Sequence, residues 1–343
     1  MMATAYDDRT VLKETSIASS YYQLFQNKDK PELLLSRDTP TNNDAFWEED
    51  EWTPEEQVAA ERTLKQAREK CSIRNNTLTS AAVVPKQGED KKAWDTFYKQ
   101  HQTNFFKDRH YFQHEFSREF SVCKDNPSRK RTLVEVGCGV GNALLPLLED
   151  EDCAWTVHGL DLSEVAIGLM RQDVRFVKAA KENRAFGYVS DISAPASPLQ
   201  SSEDDTLTIP QSCRGVADVS TLLFCLSAIA PGERMLQAVQ NVAATLKPNQ
   251  GVLVFRDYGR YDEAQMKLGT SRNKQLDNEN FYRKHDGTKC YYFTLEDIRN
   301  LFETKAGLKV LELDYIRRVY RNRSNNEVRR RVWVQGRFQK IEY

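Results

Sequence analysis

The chain of 343 residues has no apolar run approaching the ~20 residues that a membrane span requires, so no crossing of a bilayer is expected. Its seven cysteines, at positions 71, 123, 138, 153, 213, 225 and 290, include no Cys-x-x-Cys pair. That scatter gives neither a zinc site nor a disulfide framework, and reduced, mostly buried thiols without a bound metal are the expectation. The segment Met1–Arg9 lacks the basic start and apolar run of a targeting signal, which points to a cytoplasmic address, with the nucleus as the alternative. An excess of either charge is missing as well: 49 Lys and Arg stand against 50 Asp and Glu, a net of -1. Indiscriminate polyanion binding is thereby excluded, and any nucleic acid would have to be held by local basic clusters. No internal repeat is present.

What is there suits one large α/β domain with an appendage, because single cores stop growing near ~250–300 residues. Residues 1–90 carry little strand signal and read as an N-terminal helical extension, partly disordered, with one helix. That helix starts at Thr53-Pro54-Glu55-Glu56, where Thr53 can cap, Pro54 suits the first turn, and the two glutamates favour the positive end of the dipole. Val58, Leu64 and Ala67 supply its apolar stripe through Lys70, and 71–90 reads as a linker. Residues 91–343 read as the main domain. It opens on a stretch from Ala93 to Phe120 in which aromatics alternate with bases, read as one or two helices; aromatics at helical spacing are more often core than a ligand box. After Arg131, short β-rich runs at Thr132–Val136, Trp155–Leu160, Arg184–Val189, Ala217–Phe224 and Val252–Phe255 alternate with helical or loop segments, which implies a parallel sheet. Pro195 to Ser212 reads as a surface loop, and Pro231–Leu246 as an amphipathic helix stopped by Lys247-Pro248-Asn249-Gln250-Gly251.

The strongest motif is Leu133-Val134-Glu135-Val136-Gly137-Cys138-Gly139-Val140-Gly141-Asn142, a strand running through a glycine turn into an expected helix at Ala143–Leu148. The spacing Gly137, Gly139, Gly141, with Glu135 two residues before the first glycine, differs from the G-x-G-x-x-G cradle that holds a pyrophosphate. S-adenosylmethionine (SAM) carries no phosphate, so a carboxylate here is tolerable and can face its ammonium group. Asp161 ends the second strand, where an acidic side chain accepts the hydroxyls of a ribose. Asp191 follows the third, a position suited to an adenine amino group, with Ile192 against the ring. Each acid alone would also serve as a cap or loop carboxylate; three at successive strand ends beside a glycine turn point to SAM.

Further blocks carry a family resemblance. Trp94-Asp95-x-Phe97-Tyr98-Lys99, Asn104-Phe105-Phe106-Lys107-Asp108-Arg109-His110, Glu135–Asn142, Phe224-Cys225-Leu226-Ser227-Ala228-Ile229, Phe255-Arg256-Asp257-Tyr258-Gly259-Arg260-Tyr261-Asp262, Asn280-Phe281-Tyr282-Arg283, Asp286-Gly287-Thr288 and Tyr292-Phe293-Thr294 together resemble the tRNA 3-methylcytidine methyltransferases that modify position 32 of the anticodon loop. Glu51-Trp52-Thr53-Pro54-Glu55-Glu56-Gln57 is similar to the extension of the branch acting on threonine and some arginine tRNAs. The chain departs from the pattern at Leu160 and Leu162, which flank Asp161, and in the length of the 195–212 stretch. The resemblance implies a class I SAM-dependent methyltransferase: α/β, Rossmann-like, with a mostly parallel seven-stranded sheet and helices on both faces. It implies that Trp94 and Tyr98 close over SAM beside Gly137, Gly139, Asp161, Asp191, Ile192 and Leu223, that Phe105, Phe106, Lys107, Arg109, His110 and Arg283 face RNA, and that tRNA is the partner. It leaves open an accessory protein or an aminoacyl-tRNA synthetase as a second partner.

The chemistry agrees, since N3 of an unpaired cytosine has a free lone pair at neutral pH and needs no general base. Asp257, after the fifth strand, is placed to support the amino group or the developing positive charge, with Arg256 and Tyr258 fixing orientation; a structural turn is its alternative role. Val310–Ile316 and Val332–Phe338 read as a β-hairpin whose connection carries Arg317, Arg318, Arg321, Arg323, Arg329, Arg330 and Arg331, a cluster suited to a tRNA backbone. Blunting an exposed sheet edge is the other use of such arginines. Two competing functions stay open on residues alone: a SAM-dependent enzyme acting on protein or a small molecule, and a non-catalytic RNA- or actin-associated adaptor.

Overall fold

The computed structural model describes residues 45–74, 88–103, 108–109, 115–120, 130–150, 153–195, 208–271, 274–276, 280–322 and 327–341. In chain order the regular elements are strand β1 (Ala45–Glu49), helices α1 (Pro54–Arg74), α2 (Glu89–His101) and α3 (Ser117–Phe120), strands β2 (Lys130–Val136) and β3 (Ala154–Asp161), helices α4 (Glu164–Met170) and α5 (Val174–Lys181), and strands β4 (Ala185–Val189) and β5 (Val219–Leu223). They continue with α6 (Glu233–Thr245), β6 (Val252–Tyr258), α7 (Glu263–Thr270), β7 (Phe281–Arg283), β8 (Lys289–Tyr291), α8 (Leu295–Arg299), β9 (Leu308–Asn322) and β10 (Glu327–Lys340). The chain forms two compact units: one takes in residues up to 79 with 261–273 and 317–332, the other holds 80–260, 274–316 and 333–343.

In the larger unit a mostly parallel sheet of seven strands runs in the order β9-β10-β6-β5-β2-β3-β4. Strands β4, β3, β2, β5 and β6 are parallel, and β10 lies antiparallel to β6 through Trp333↔Tyr258 to Gln339↔Val252. Period-two alternation sorts the strand side chains into two apolar layers. Val134, Val136, Leu253 and Phe255 pack with Met235, Val239 and Val242 of α6; Leu133, Val157 and Val254 pack with Ile167 and Met170 of α4, Phe176 of α5 and Phe116. Each layer holds helices against one face, which is what lets the central strand Val219–Leu223 be buried along its whole length. The strand order reverses between β2 and β5. In an open α/β sheet such a reversal leaves a crevice at the carboxyl ends of the two strands, the usual place for a ligand.

Three local expectations are corrected. The turn after Gly141 opens into a 3₁₀ helix at Leu145–Glu149 and not an α-helix over Ala143–Leu148, because Pro146 has no N–H to donate and disfavours α geometry at the residue before it. The C-terminal strands are longer than their apolar cores, so Arg317, Arg318, Arg321, Arg329, Arg330 and Arg331 lie on β9 and β10 and not in the connection. Cys138, Cys213, Cys225 and Cys290 are free thiols, but Cys153 is disulfide-bonded, against the expectation of reduced thiols throughout. The expectations for residues 1–44, 75–87 and 196–207 lie outside the described residues.

In the smaller unit β1 pairs antiparallel with β9, from Ala45↔Asn322 to Glu49↔Arg318. The predicted start of α1 forms a reciprocal cap: Glu56 N–H donates to the Thr53 hydroxyl at 3.2 Å, and Thr53 N–H donates to the Glu56 carboxylate at 2.9 Å. Ala60 and Leu64 of α1 bury against Met266 of α7, and the Trp52 and Tyr261 rings stack at 5.5 Å. No described helix is long and apolar enough to cross a membrane.

Candidate functional site

A cavity opens at the β2/β5 reversal, and most of the residues expected around a cofactor line it: Trp94, Tyr98, Glu135, Gly137, Gly139, Asp161, Asp191, Ile192 and Leu223. The turn after β2 has positive φ at Gly137 and Gly139 (71° and 54°), and space forbids a side chain at either. A Cβ on Gly137 would overlap Sγ and Cβ of Cys225, and one on Gly139 would overlap the Tyr98 hydroxyl. Gly141 belongs to the same turn but does not line the cavity.

The three acids differ in what holds them. Glu135 is buried, and its Oε2 has no hydrogen-bond partner among the described residues. Burial raises its carboxyl to about 8, against the opposing pull of the Arg109 cation. Asp161 bridges two elements: Oδ2 accepts the Gly139 N–H and Oδ1 the Ser163 N–H, each at 2.8 Å, while burial raises the carboxyl to about 6. Asp191 Oδ1 accepts from the N–H (2.9 Å) and hydroxyl (2.6 Å) of Ser193, and Oδ2 lies 3.5 Å from the Arg234 guanidinium. An orphaned, buried carboxylate oxygen among glycines fits a cationic ligand and disfavours a phosphate.

Helix α2 forms the opposite wall. Trp94 and Tyr98 are four residues apart and so share one helical face, with ring centroids 6.1 Å apart. The helix is pinned by the Ser163 hydroxyl donating to Asp95 at 2.7 Å, and near its start Asp90 lies 2.6 Å from Lys289 and 3.2 Å from Arg234.

Of the residues expected to face RNA, Phe105, Phe106, Lys107 and His110 lie outside the described residues. Arg109 lines the cofactor cavity, with its guanidinium 5.1 Å from the centre of the Phe224 ring. Arg283 lies 3.6 Å from Glu89. In the smaller unit Arg317 sits over Trp52 at 5.9 Å, Arg318 lies 3.4 Å from Glu49, and Arg329 is exposed. Arg330 departs from the expectation: it is 5% exposed and faces Glu56 (3.5 Å) and Asp50 (3.8 Å), because a cation taken out of water needs partnered carboxylates.

The trio Arg256, Asp257 and Tyr258 does not line the cavity. Asp257 is fully buried, raised to about 6 by that burial, and accepts the N–H groups of Ser227 (2.9 Å) and Tyr258 (2.8 Å). Arg256 donates to Gln335 at 2.8 Å, pairs with Glu115, and lies over Phe116 and Trp333. Tyr258 reaches the cavity wall through Phe224, ring to ring at 5.1 Å. Phe224 itself holds a left-handed backbone, φ 55°, an uncommon conformation for a bulky residue and one that clusters at functional sites.

Sequence reasoning missed Asp90, Asn142, Phe224, Cys225 and Arg234 in the wall. Phe224 and Cys225 follow β5 directly, so the strand-end logic used for Asp161 and Asp191 would have found them. Asn142 closes the glycine motif itself, whereas Asp90 and Arg234 carry no such signal.

Residues 108–313 match the family described as "Methyltransferase domain". The chain is 32% identical over 333 residues to the tRNA N(3)-methylcytidine methyltransferase Mettl2 of Drosophila melanogaster, a match covering 94% of this chain and 93% of that protein. It is 37% identical to trm141 of Schizosaccharomyces pombe, named likewise, across 74% of this chain and 93% of that protein. It is 36% identical to the mouse tRNA N(3)-cytidine methyltransferase METTL6, across 81% and 91%. The cofactor is S-adenosylmethionine.

Proposed function

This chain belongs to the family of tRNA N(3)-methylcytidine methyltransferases, and we propose that it methylates N3 of the cytidine at position 32 in the anticodon loop of threonine tRNAs. The observation that carries the cofactor side is Glu135, whose unpartnered buried oxygen is matched by the ammonium group of SAM. Asp161 would hold the ribose hydroxyls, Asp191 and Ile192 the adenine, and Leu223 with Trp94 and Tyr98 would cover the remaining faces. The similarity of the 104–110 block to the family supports tRNA as the substrate, and that of the 51–57 block to the branch acting on threonine and some arginine tRNAs supports the choice of tRNA. Exposed cations such as Arg329, together with Arg283, Arg317 and Arg318, supply backbone contacts, and an accessory protein or a synthetase assists. The site of action is the cytoplasm, with the nucleus as alternative.

When bound, SAM would supply an electrophilic methyl on sulfur: the N3 lone pair would form the new bond to that carbon as the carbon–sulfur bond breaks, with a neutral thioether as the leaving group and the positive charge moved onto the base. No proton has to leave N3 first. The protein's task is to take the base out of the loop, stack it and align it, which aromatic and cationic side chains near Phe224 and Arg109 can do. For Asp257 two roles are separable by one substitution. Its two backbone N–H bonds favour holding the turn that carries Ser227 and Tyr258; on that reading Asp257→Asn keeps the single-turnover rate within about threefold, whereas support of the developing charge demands a loss beyond about tenfold.

The test is methyl transfer from labelled SAM to threonine tRNA transcripts carrying C or U at position 32, with nucleosides resolved by mass spectrometry. The expected result is 3-methylcytidine on the C32 transcript alone. Equal labelling of both transcripts would overturn the assigned position, and labelling of protein in place of RNA would overturn the substrate class.

A further inference from the structure

We propose that Arg175, on helix α5, is a positioning residue for methyl transfer, acting through Asp108 to hold Arg109 at the wall of the cofactor cavity. The proposal rests on the reading of this chain as a tRNA methyltransferase.

Three features place it there. The Arg175 fork is pre-set by its own helix cap: Nε and Nη2 each lie 2.9 Å from the two oxygens of Asp173, whose Oδ1 also accepts the Arg175 N–H. The remaining arm, Nη1, points the other way and donates to Asp108 Oδ2 at 2.7 Å, with Glu149 farther off at 3.7 Å. Asp108 is in turn tied to the glycine turn, its Oδ1 accepting from Asn142 Nδ2 at 3.3 Å, and the next residue, Arg109, donates its N–H to the Asn142 carbonyl at 2.8 Å. The short stretch 108–109 is thus fastened to the turn that follows β2, and Arg175 is its outer anchor.

The consequence lies in where Arg109 ends up. Its guanidinium rests on the Phe224 ring and lines the cavity. A bidentate arginine whose third arm is aimed by a carboxylate loses little freedom on making each bond, so it fixes direction better than a lysine would. Arg175 itself does not line the cavity. Its effect on the reaction must therefore pass through Asp108, and a displacement of about 1 Å at the reacting end is enough to slow a positioned reaction by up to roughly 100-fold.

The experiment uses the full-length protein with Arg175→Ala, Arg175→Lys, Asp108→Ala and the Arg175→Ala/Asp108→Ala double variant. Three quantities are read: the single-turnover rate on threonine tRNA at saturating SAM and tRNA, the calorimetric Kd for SAM, and the hydrogen-exchange protection of the Arg109 amide. The expected result is a rate loss of about tenfold in Arg175→Ala with the Kd for SAM moved less than about threefold, partial recovery in Arg175→Lys, and a double variant no slower than either single one. Protection of the Arg109 amide should fall at least about tenfold in Arg175→Ala. Unchanged protection in that variant, or losses that multiply in the double variant, would overturn the proposal. Should Arg175→Ala fail to fold, Asp108→Asn, which keeps the size and removes the charge, answers the same question. Absence of methyl transfer by the wild-type protein would sink the functional reading alone, because the exchange measurement still decides whether Arg175 positions Arg109.

Discussion

Two buried ionisable groups, one in each unit of the molecule, have different surroundings. Glu135 in the larger unit keeps a carboxyl oxygen with no hydrogen-bond partner among the described residues, while Arg330 in the smaller unit faces the carboxylates of Asp50 and Glu56. Both are costly to bury; two facing carboxylates compensate Arg330, whereas the Arg109 cation offsets the burial of Glu135 only in part, leaving its carboxyl raised to about 8. The lesson is that charge type and position along the sequence do not separate binding residues from scaffold; the presence or absence of an internal partner does. Arg330 sits in the most basic stretch of the sequence yet faces carboxylates of its own unit, whereas Glu135, two residues before the first glycine of the turn, lines the cavity.

Gly139→Ala should break the open region most severely. The new Cβ combines a left-handed backbone cost of about 1–2 kcal/mol with displacement of the Tyr98 hydroxyl, so affinity for SAM is expected to fall about 100-fold by calorimetry. An affinity within about threefold of wild type would mean that the Trp94–Tyr98 wall yields freely.

Arg330→Ala probes the compensated region. Removing one partner of a buried set should cost about 3 kcal/mol in urea unfolding. The contrast drawn above would be undone by weaker tRNA binding with stability unchanged, since that would return Arg330 to the RNA face.

Glu135→Gln sharpens the comparison through pH. Its carboxyl, raised to about 8 in the folded protein against an ordinary value near 4.5, binds more protons folded than unfolded. Its contribution to stability is fully present below the ordinary value and lost as pH rises through about 8, so the melting temperature of the ligand-free protein should decline across that window, and less so in Glu135→Gln. Pairing with a cation lowers the carboxyl again, so SAM binding near pH 7 should release a proton, seen as a buffer-dependent binding enthalpy. That dependence should shrink in the variant, and its persistence at full size would place the released proton elsewhere.

The smallest effect is expected for Arg329→Ala, on the exposed part of β10. Affinity for tRNA should drop about threefold, and the slope of log K against log salt should flatten by about 0.7–0.9.

These contrasts explain what could be read from residues alone. The five parallel strands were legible because their apolar runs are short, β-branched and spaced by turns, and the glycine turn was legible because three glycines at fixed spacing have few other uses. The arginine-rich ends of β9 and β10 were read as a connection, since alternation of Arg with Val319 and Val332 resembles a strand only when its neutralising acids are known. Those acids, Glu49, Asp50, Glu56 and Asp262, lie far away in the chain. The same holds for Asp90 and Arg234 in the cavity wall, which take their place from packing rather than from any local pattern.

The 3₁₀ segment at Leu145–Glu149 bears on how the enzyme would be inhibited. A long α-helix behind a glycine loop gathers aligned peptide dipoles that welcome anionic groups; one short turn of tighter coil gathers few. A medicinal chemist working on this pocket should therefore build on an uncharged or cationic nucleoside scaffold and leave phosphates off it, and compounds borrowed from kinase or dehydrogenase programmes should bind poorly.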